Sequence, residues 1–130
     1  VIDIDGNDYW VWKAITHYRP RVVVIEYNGC IPARPSRTIV YDPSFVWDHT
    51  DYLSASLGAF AELGLAKGYR LIATDRTGVN AFFVDDTDAS ITGRFADRSL
   101  EAIYRPLLTV ASAGRRPYPA DPLGRRWVEV

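Results

Sequence analysis

The sequence has no methionine, one cysteine and two histidines among its 130 residues. A single cysteine cannot form an internal disulfide, which favours a reducing compartment and predicts a cytoplasmic protein. The 15 basic and 16 acidic residues nearly cancel, and this balance argues against a nucleic-acid-binding surface. No apolar run approaches the roughly 20 residues that a membrane-spanning helix needs. We therefore expect a protein that binds neither nucleic acid nor membrane.

The composition is that of an ordinary folded domain, with 48% apolar and 24% charged residues. The chain opens directly on a strand-like pattern and without an initiator methionine. This opening predicts that the chain is a piece of a longer reading frame; the alternative is a removed tag or a start that the sequence does not include.

The first 27 residues predict a strand, a helix and a second strand. Residues 1–5 alternate apolar and acidic side chains and run into a turn at Gly6. Asn7 or Asp8 can cap the helix that follows, and Pro20 ends it. Its predicted buried face has helical spacing and comprises Val11, Ala14, Ile15 and Tyr18. Residues 21–27 contain a continuous β-branched run, which is typical of a parallel strand covered on both faces. Together these elements predict a βαβ unit.

The rest of the chain predicts a long loop, a helix, a hairpin and an extended tail. Residues 28–50 form the loop, and a helix follows that ends at Lys67 and Gly68. Its expected cap is Asp48, Thr50 or Asp51. Residues 69–74 and 79–84 flank a turn and predict an antiparallel hairpin. A short helix is expected over 100–110, and the proline-rich end is expected to lie extended over the surface.

Three segments resemble the FkbM-type family of S-adenosylmethionine-dependent methyltransferases. Ile2-Asp3-Ile4-Asp5-Gly6-Asn7-Asp8-Tyr9 resembles that family's fourth-strand segment, and residues 22–28 are similar to its fifth strand. Lys67-Gly68-Tyr69-Arg70-Leu71 and the run from Gly78 to Val84 resemble its closing hairpin. The resemblance implies an α/β fold, the C-terminal half of a seven-stranded Rossmann-like sheet with helices on its faces. It implies a partial domain over 1–86 and a C-terminal extension over 87–130.

The resemblance also implies methyl transfer from S-adenosylmethionine to an oxygen of a small-molecule acceptor. The family's glycine-rich donor turn is missing, since the sequence contains no Gly-x-Gly motif. A partner would therefore have to complete the donor site, to which Asp3 and Asn7 are assigned by resemblance. The strand at residues 1–5 would be left as an exposed sheet edge, which predicts a homo-oligomer, most simply a homodimer.

Oxygen-bearing side chains follow the two predicted parallel strands where each strand ends. Asp3 and Asp5 close the first strand, and Glu26 and Asn28 close the second. Ligands of open α/β sheets bind beyond the carboxyl ends of strands, so we expect these oxygens to lie close together. Asp5, Glu26 and Asn28 could bind a divalent cation. The alternative is that Asp3 or Asp5 faces a helix terminus, while Asn7 and Asp8 only cap a helix.

Asp5 and Glu26 are also the candidate catalytic residues, because they could orient or deprotonate an acceptor hydroxyl. His49 lies in the long loop and could act as a general base, or could simply be solvated. Aromatic residues of the same loop either line a substrate pocket or pack on the sheet: Tyr41, Phe45 and Trp47.

Two other functions fit parts of the sequence. The chain could be a non-catalytic, oligomerising remnant, which the missing donor motif favours. Alternatively, Asp3-Ile4-Asp5-Gly6 is similar to the nucleophile motif of haloacid-dehalogenase-type phosphatases, with Thr74 and Asp85-Asp86 imitating the later motifs. These later residues are too close together to hold the expected helices between them.

Overall fold

The fold is that of a computed structural model, which describes residues 1–108 and 118–130. The helices are α1 (Asp8–Ala14), α2 (Leu57–Ala66), α3 (Ala89–Thr92) and α4 (Leu100–Ile103). The strands are β1 (Val22–Glu26), β2 (Arg37–Ile39), β3 (Tyr69–Thr74), β4 (Asn80–Asp85) and β5 (Trp127–Glu129).

The main sheet has three strands in the order β1-β4-β3. β4 runs antiparallel to both neighbours, so that Val24 lies opposite Phe82 and Leu71 opposite Phe83. The hairpin of β3 and β4 confirms the prediction for residues 69–84. The register also places Glu26, at the end of β1, opposite Asn80 at the start of β4.

The predicted parallel, Rossmann-like half-sheet is wrong. Every pair of neighbouring strands in both sheets is antiparallel, and the described chain is a small mixed α/β domain. Burial along β1 alternates, with Val23 and Ile25 buried and Val22 exposed. Alternation of this kind is typical of antiparallel sheets with one wetter face. The β-branched run predicted the strand itself correctly, but it carried no information about the direction of the neighbouring strand.

The segment of residues 1–5 is not a strand. Only Ile2 pairs with β1, through one parallel bridge to Ile25. Its N–H donates to the carbonyl oxygen of Val24 at 2.9 Å, and its carbonyl oxygen accepts from the N–H of Glu26 at 3.0 Å. The backbone then leaves the sheet, because the N–H groups of Ile4 and Gly6 bind the Asp8 side chain of α1.

The two longer helices pack against one face of the main sheet. α1 buries Tyr9 and Trp12 rather than the predicted face, since Val11, Ala14 and Tyr18 are exposed. α2 starts after Ser56, whose side-chain oxygen accepts from the N–H of Ala59, and not at the predicted caps. The core these elements enclose is mainly apolar, with aromatic contributions: Tyr9, Trp12, Val23, Ile25, Tyr27, Leu57, Phe60, Leu63, Tyr69 and Phe83.

The end of the chain is extended, as predicted, but it is also paired. β5 forms a two-stranded antiparallel sheet with β2, which lies inside the segment predicted to be a loop. Trp127 packs edge-on against Tyr52 with ring centroids 5.0 Å apart. Arg125 stacks on the same Tyr52 ring and pairs with Asp48. These contacts tie residues 118–130 to the body of the domain.

The predicted helix over 100–110 is confirmed only as α4, and residues 109 and 110 lie outside the described part of the chain. Across the described residues, no helix combines the length and the apolar character needed to cross a membrane. The division of the chain at residue 86 stays a prediction.

Candidate functional site: an acidic cluster at the end of β1

Three carboxylates meet where β1 ends. One carboxylate oxygen each from Asp3, Asp5 and Glu26 lies within 4.8 Å of the others. Asp3 and Asp5 are exposed, whereas Glu26 is half-buried. The expected proximity is therefore present for these three carboxylates, although the parallel bridge at Ile2 produces it rather than a full strand pair.

The buried carboxylate of Asp8 shapes the turn that carries this cluster. Its two oxygens accept from the N–H of Ile4 at 3.0 Å and of Gly6 at 2.9 Å. Asp8 is fully buried, and burial raises its pKa, while these two N–H groups act in the opposite direction. Asp5, which lies between Ile4 and Gly6, adopts a left-handed backbone conformation with φ of 57°. Aspartate tolerates this region better than most residues, and such a conformation needs support from its surroundings.

Glu26 has the most perturbed carboxyl group of the cluster. Burial raises the pKa of Glu26 to about 8, and the negative charges of Asp3, Asp8 and Asp5 add to the effect. The backbone N–H of Asp5 offsets a part of this rise. Glu26 Oε2 is buried without a hydrogen-bond partner among the described residues. A buried, unpaired carboxylate oxygen is costly, so either a proton or a cation is needed there.

A small cavity of about 50 Å³ adjoins the cluster. Glu26 and Tyr118 line it together with Leu107 and Val79. The Tyr118 ring packs edge-on against Trp47, with centroids 4.8 Å apart. Burial raises the pKa of Tyr118, and the nearby acidic groups act in the same direction. The phenol therefore stays protonated beside the carboxylates and can donate a hydrogen bond.

The other predicted site residues have structural partners. Asn28 is buried and donates to the carbonyl oxygens of Asp51 and Leu53, while its Oδ1 accepts from the N–H of Cys30. Its amide therefore holds the start of the long loop. Because Oδ1 of Asn28 already accepts a hydrogen bond, only its second lone pair remains for a cation.

Asn7 and His49 lie outside the three-carboxylate group. The Asn7 amide donates to the carbonyl oxygen of Asp42 at 2.7 Å and ties the turn to the loop. His49 is exposed, and its ring centroid lies 4.6 Å from that of Trp47. Trp47 also contacts Tyr118, so a chain of two ring contacts joins His49 to a residue that lines the cavity.

The residues of the phosphatase hypothesis are not assembled. Asp85 ends β4 beside Arg21, whereas Glu26 lies opposite the other end of β4. The carboxylate of Asp85 is paired with Arg19, which holds the pKa of Asp85 well below its usual range. The Thr74 hydroxyl donates to the carbonyl oxygen of Ile103.

The residues present do not fit the methyl donor expected from the resemblance. The sequence has no Gly-x-Gly turn, and the N-terminus of a helix after such a turn is what cradles nucleotide groups in related α/β folds. They do fit a divalent cation, because hard oxygen ligands converge and one of them is buried and unpartnered. Comparison with protein-family models, curated proteins and solved structures gives no match.

The sequence predicted Asp8 as a possible cap, but it missed the role of Asp8 in the acidic turn and the presence of Tyr118 near the cluster. Asp8 was expected to cap α1, but its carboxylate points back to Ile4 and Gly6. In the sequence, an aspartate whose side chain binds preceding N–H groups looks the same as an aspartate that caps a helix, so the pattern does not distinguish the two roles. Tyr118 lines the same cavity as Glu26 although 92 positions of the chain separate them, and no local pattern encodes this proximity.

Proposed function

We propose that this chain binds a divalent cation with Asp3, Asp5 and Glu26, and that the cation holds an oxygen acceptor for methyl transfer. The observation that carries the cation part is the meeting of three carboxylate oxygens within 4.8 Å, without any basic residue paired to them in the described chain. Mutual repulsion among these groups is relieved if a cation binds.

Each ligand has a physical role in this proposal. Glu26 would supply the half-buried oxygen, and Asp3 and Asp5 the exposed oxygens that admit ligand from solvent. Asp8 would act as a positioning residue, since it fixes the turn that carries Asp5. A bound divalent cation would polarise an acceptor oxygen and lower the pKa of its hydroxyl group.

The methyl-transfer part of the proposal depends on the sequence resemblance. The segment that carries the resemblance, residues 2–9, also supplies two of the three carboxylates. The donor would be held by residues outside the acidic cluster, in a partner or across a dimer. A small-molecule acceptor and a cytoplasmic location belong to the same proposal.

The first test is calorimetric titration of the chain with Mg²⁺ and Ca²⁺. We expect one site with a dissociation constant of about 1 mM or lower. The D5N and E26Q variants should each weaken binding at least about tenfold, the loss that even supporting residues of metal sites commonly cause. The matched control is Asp86→Asn, an exposed carboxylate beyond the far end of β4 that pairs with Arg70.

Equal affinity for wild type, D5N and E26Q would contradict the cation site. The donor part has its own test, which is titration with S-adenosylhomocysteine in the presence of Mg²⁺. Saturable binding supports completion of the donor site within the chain's own assembly. Cation binding without any nucleoside binding at millimolar ligand would remove methyl transfer from the proposal and leave a cation-binding module.

A further inference from the structure

A groove with mainly apolar walls lies away from the acidic cluster. Its volume is about 320 Å³, which falls in the range of small-molecule sites. It opens beside Val22 and Val23 at the start of β1, whereas the acidic cluster lies at the end of that strand. The walls are mainly apolar and comprise Ile2, Trp12, Ile15, Pro20 and Val23.

Lys67 is the one charged side chain among the described residues that line this groove, which also include Val1 and Tyr18. Lys67 follows α2, and its Nζ donates to the carbonyl oxygens of Ile15 at 2.6 Å and Lys13 at 3.5 Å. Among the described residues no carboxylate lies within the 4.0 Å of an ion pair with this ammonium. Burial lowers the pKa of Lys67, as expected for a cation without a counter-ion. An ammonium has three N–H donors, so one remains for a ligand.

The neighbouring guanidinium of Arg19 does not compete with Lys67 for a ligand. Arg19 lies beside Lys67, but its guanidinium is bound to both carboxylate oxygens of Asp85 and to the carbonyl oxygens of Lys67 and Gly68. Its charge is therefore compensated, and Lys67 is left as the cationic side chain of the groove without an acidic partner among the described residues.

We propose that this groove binds a small apolar carboxylate, with its hydrocarbon part against Trp12 and Ile15 and its carboxylate on Lys67. The positive charge of Lys67 favours an anionic ligand over a neutral or cationic one. A neutral apolar molecule would bury the same surface without pairing the ammonium, and a cationic one would be repelled by it. The site is independent of the acidic cluster and of any methyl transfer.

The test is calorimetric titration with three probes of equal chain length, namely octanoate, octanol and octylamine. Octanoate should bind at least about fivefold more tightly than octanol, because hydrogen bonds to charged groups are stronger than neutral ones. Octylamine should bind most weakly. Equal affinity for octanoate and octanol, or no binding of either probe, would overturn the proposal.

Two substitutions of Lys67 test whether its ammonium causes the preference for octanoate. Lys67→Met keeps the apolar stem and should reduce octanoate binding to the level of octanol, while Lys67→Arg should keep the preference for octanoate. Lys13→Met is the matched control, since Lys13 is exposed beside Tyr9 and Trp10. If Lys67→Met fails to fold, the probe series on wild type still decides. Two results would contradict the proposal. One is a preference for octanoate that persists in a folded Lys67→Met variant. The other is a dimer whose interface buries this groove and that octanoate does not dissociate.

Discussion

Glu26 is the residue in which burial and charge conflict most strongly. Its side chain stands between the apolar core below β1 and the exposed carboxylates of Asp3 and Asp5. With its pKa raised to about 8, it holds a proton at neutral pH unless a cation takes the proton's place. The residue is therefore the point at which protonation and cation binding compete.

This competition predicts how stability depends on pH. The pKa of Glu26 is about 8 in the folded state, against 4.5 for an ordinary, solvated glutamate. The bound proton therefore stabilises the fold fully below pH 4.5, and this contribution is lost as pH rises through 8. In cation-free buffer, the melting temperature of wild type should fall relative to that of Glu26→Gln between about pH 5 and pH 9. Thermal denaturation of both proteins measures the difference.

Added Mg²⁺ is the control for this experiment. At the alkaline end of the range it should raise the melting temperature of wild type and leave that of Glu26→Gln almost unchanged, because the cation replaces the lost proton only where the carboxylate is present. A constant difference between the two proteins across this pH range would show that Glu26 titrates normally.

At the same scale, the sequence predicted the acidic residues but not their supports. Asp3, Asp5 and Glu26 were identified because they follow apolar runs, a signal local to each segment. The role of Asp8 and the approach of Tyr118 depend on backbone direction and on a contact distant in sequence. Neither property is encoded in a window of a few residues.

At the scale of the element, the sequence predicted the helix α1 but not the face that it buries. The spacing of Val11, Ala14, Ile15 and Tyr18 is helical, but α1 ends at Ala14 and so never completes that face. Burial of the larger rings of Tyr9 and Trp12 determines its orientation instead. Aromatic side chains bury more apolar area than alanine or valine, and this difference decides which face is covered.

The strand β5 gives a prediction at this scale. Trp127 is half-buried, packs on Tyr52 and stacks with Arg37, whose Cζ lies 4.8 Å from its ring. Trp127→Ala should lower the free energy of unfolding by about 2 kcal/mol, less than a fully buried aromatic would. Urea denaturation measures this value.

The matched control for Trp127→Ala is Leu123→Ala. Leu123 is in the same tail and is 73% exposed, so its loss should change stability by no more than about 0.5 kcal/mol. If both substitutions have the same small effect, the tail does not dock on β2 in solution.

For the whole molecule, the order of elements was predicted better than their arrangement. The strands at 21–27, 69–74 and 79–84 and the hairpin between the last two are present, but the sheet is antiparallel. β2 was missed because it has three residues and lies in a proline-rich segment. It pairs with β5, and a pairing between segments 90 positions apart leaves no periodic signal.

Self-association is the prediction that belongs to the whole molecule. We propose that residues 1–5 mediate it, since Val1 is 93% and Ile4 52% exposed beside the outer edge of β1. Sedimentation equilibrium at micromolar concentration should detect a dimer, and Ile4→Lys should dissociate it. Leu65→Lys, at another exposed apolar position on α2, is the control and should not. A monodisperse monomer of the wild-type chain would contradict the proposal.

The central claim is that Asp3, Asp5 and Glu26 form a cation site, and anomalous diffraction tests it most directly. Crystals grown with Mn²⁺ should show one anomalous peak at bonding distance from a carboxylate oxygen of each of the three residues. The peak should be absent from crystals of Asp5→Asn. Peaks only elsewhere on the wild-type molecule, with Glu26 still unpaired, would contradict the claim.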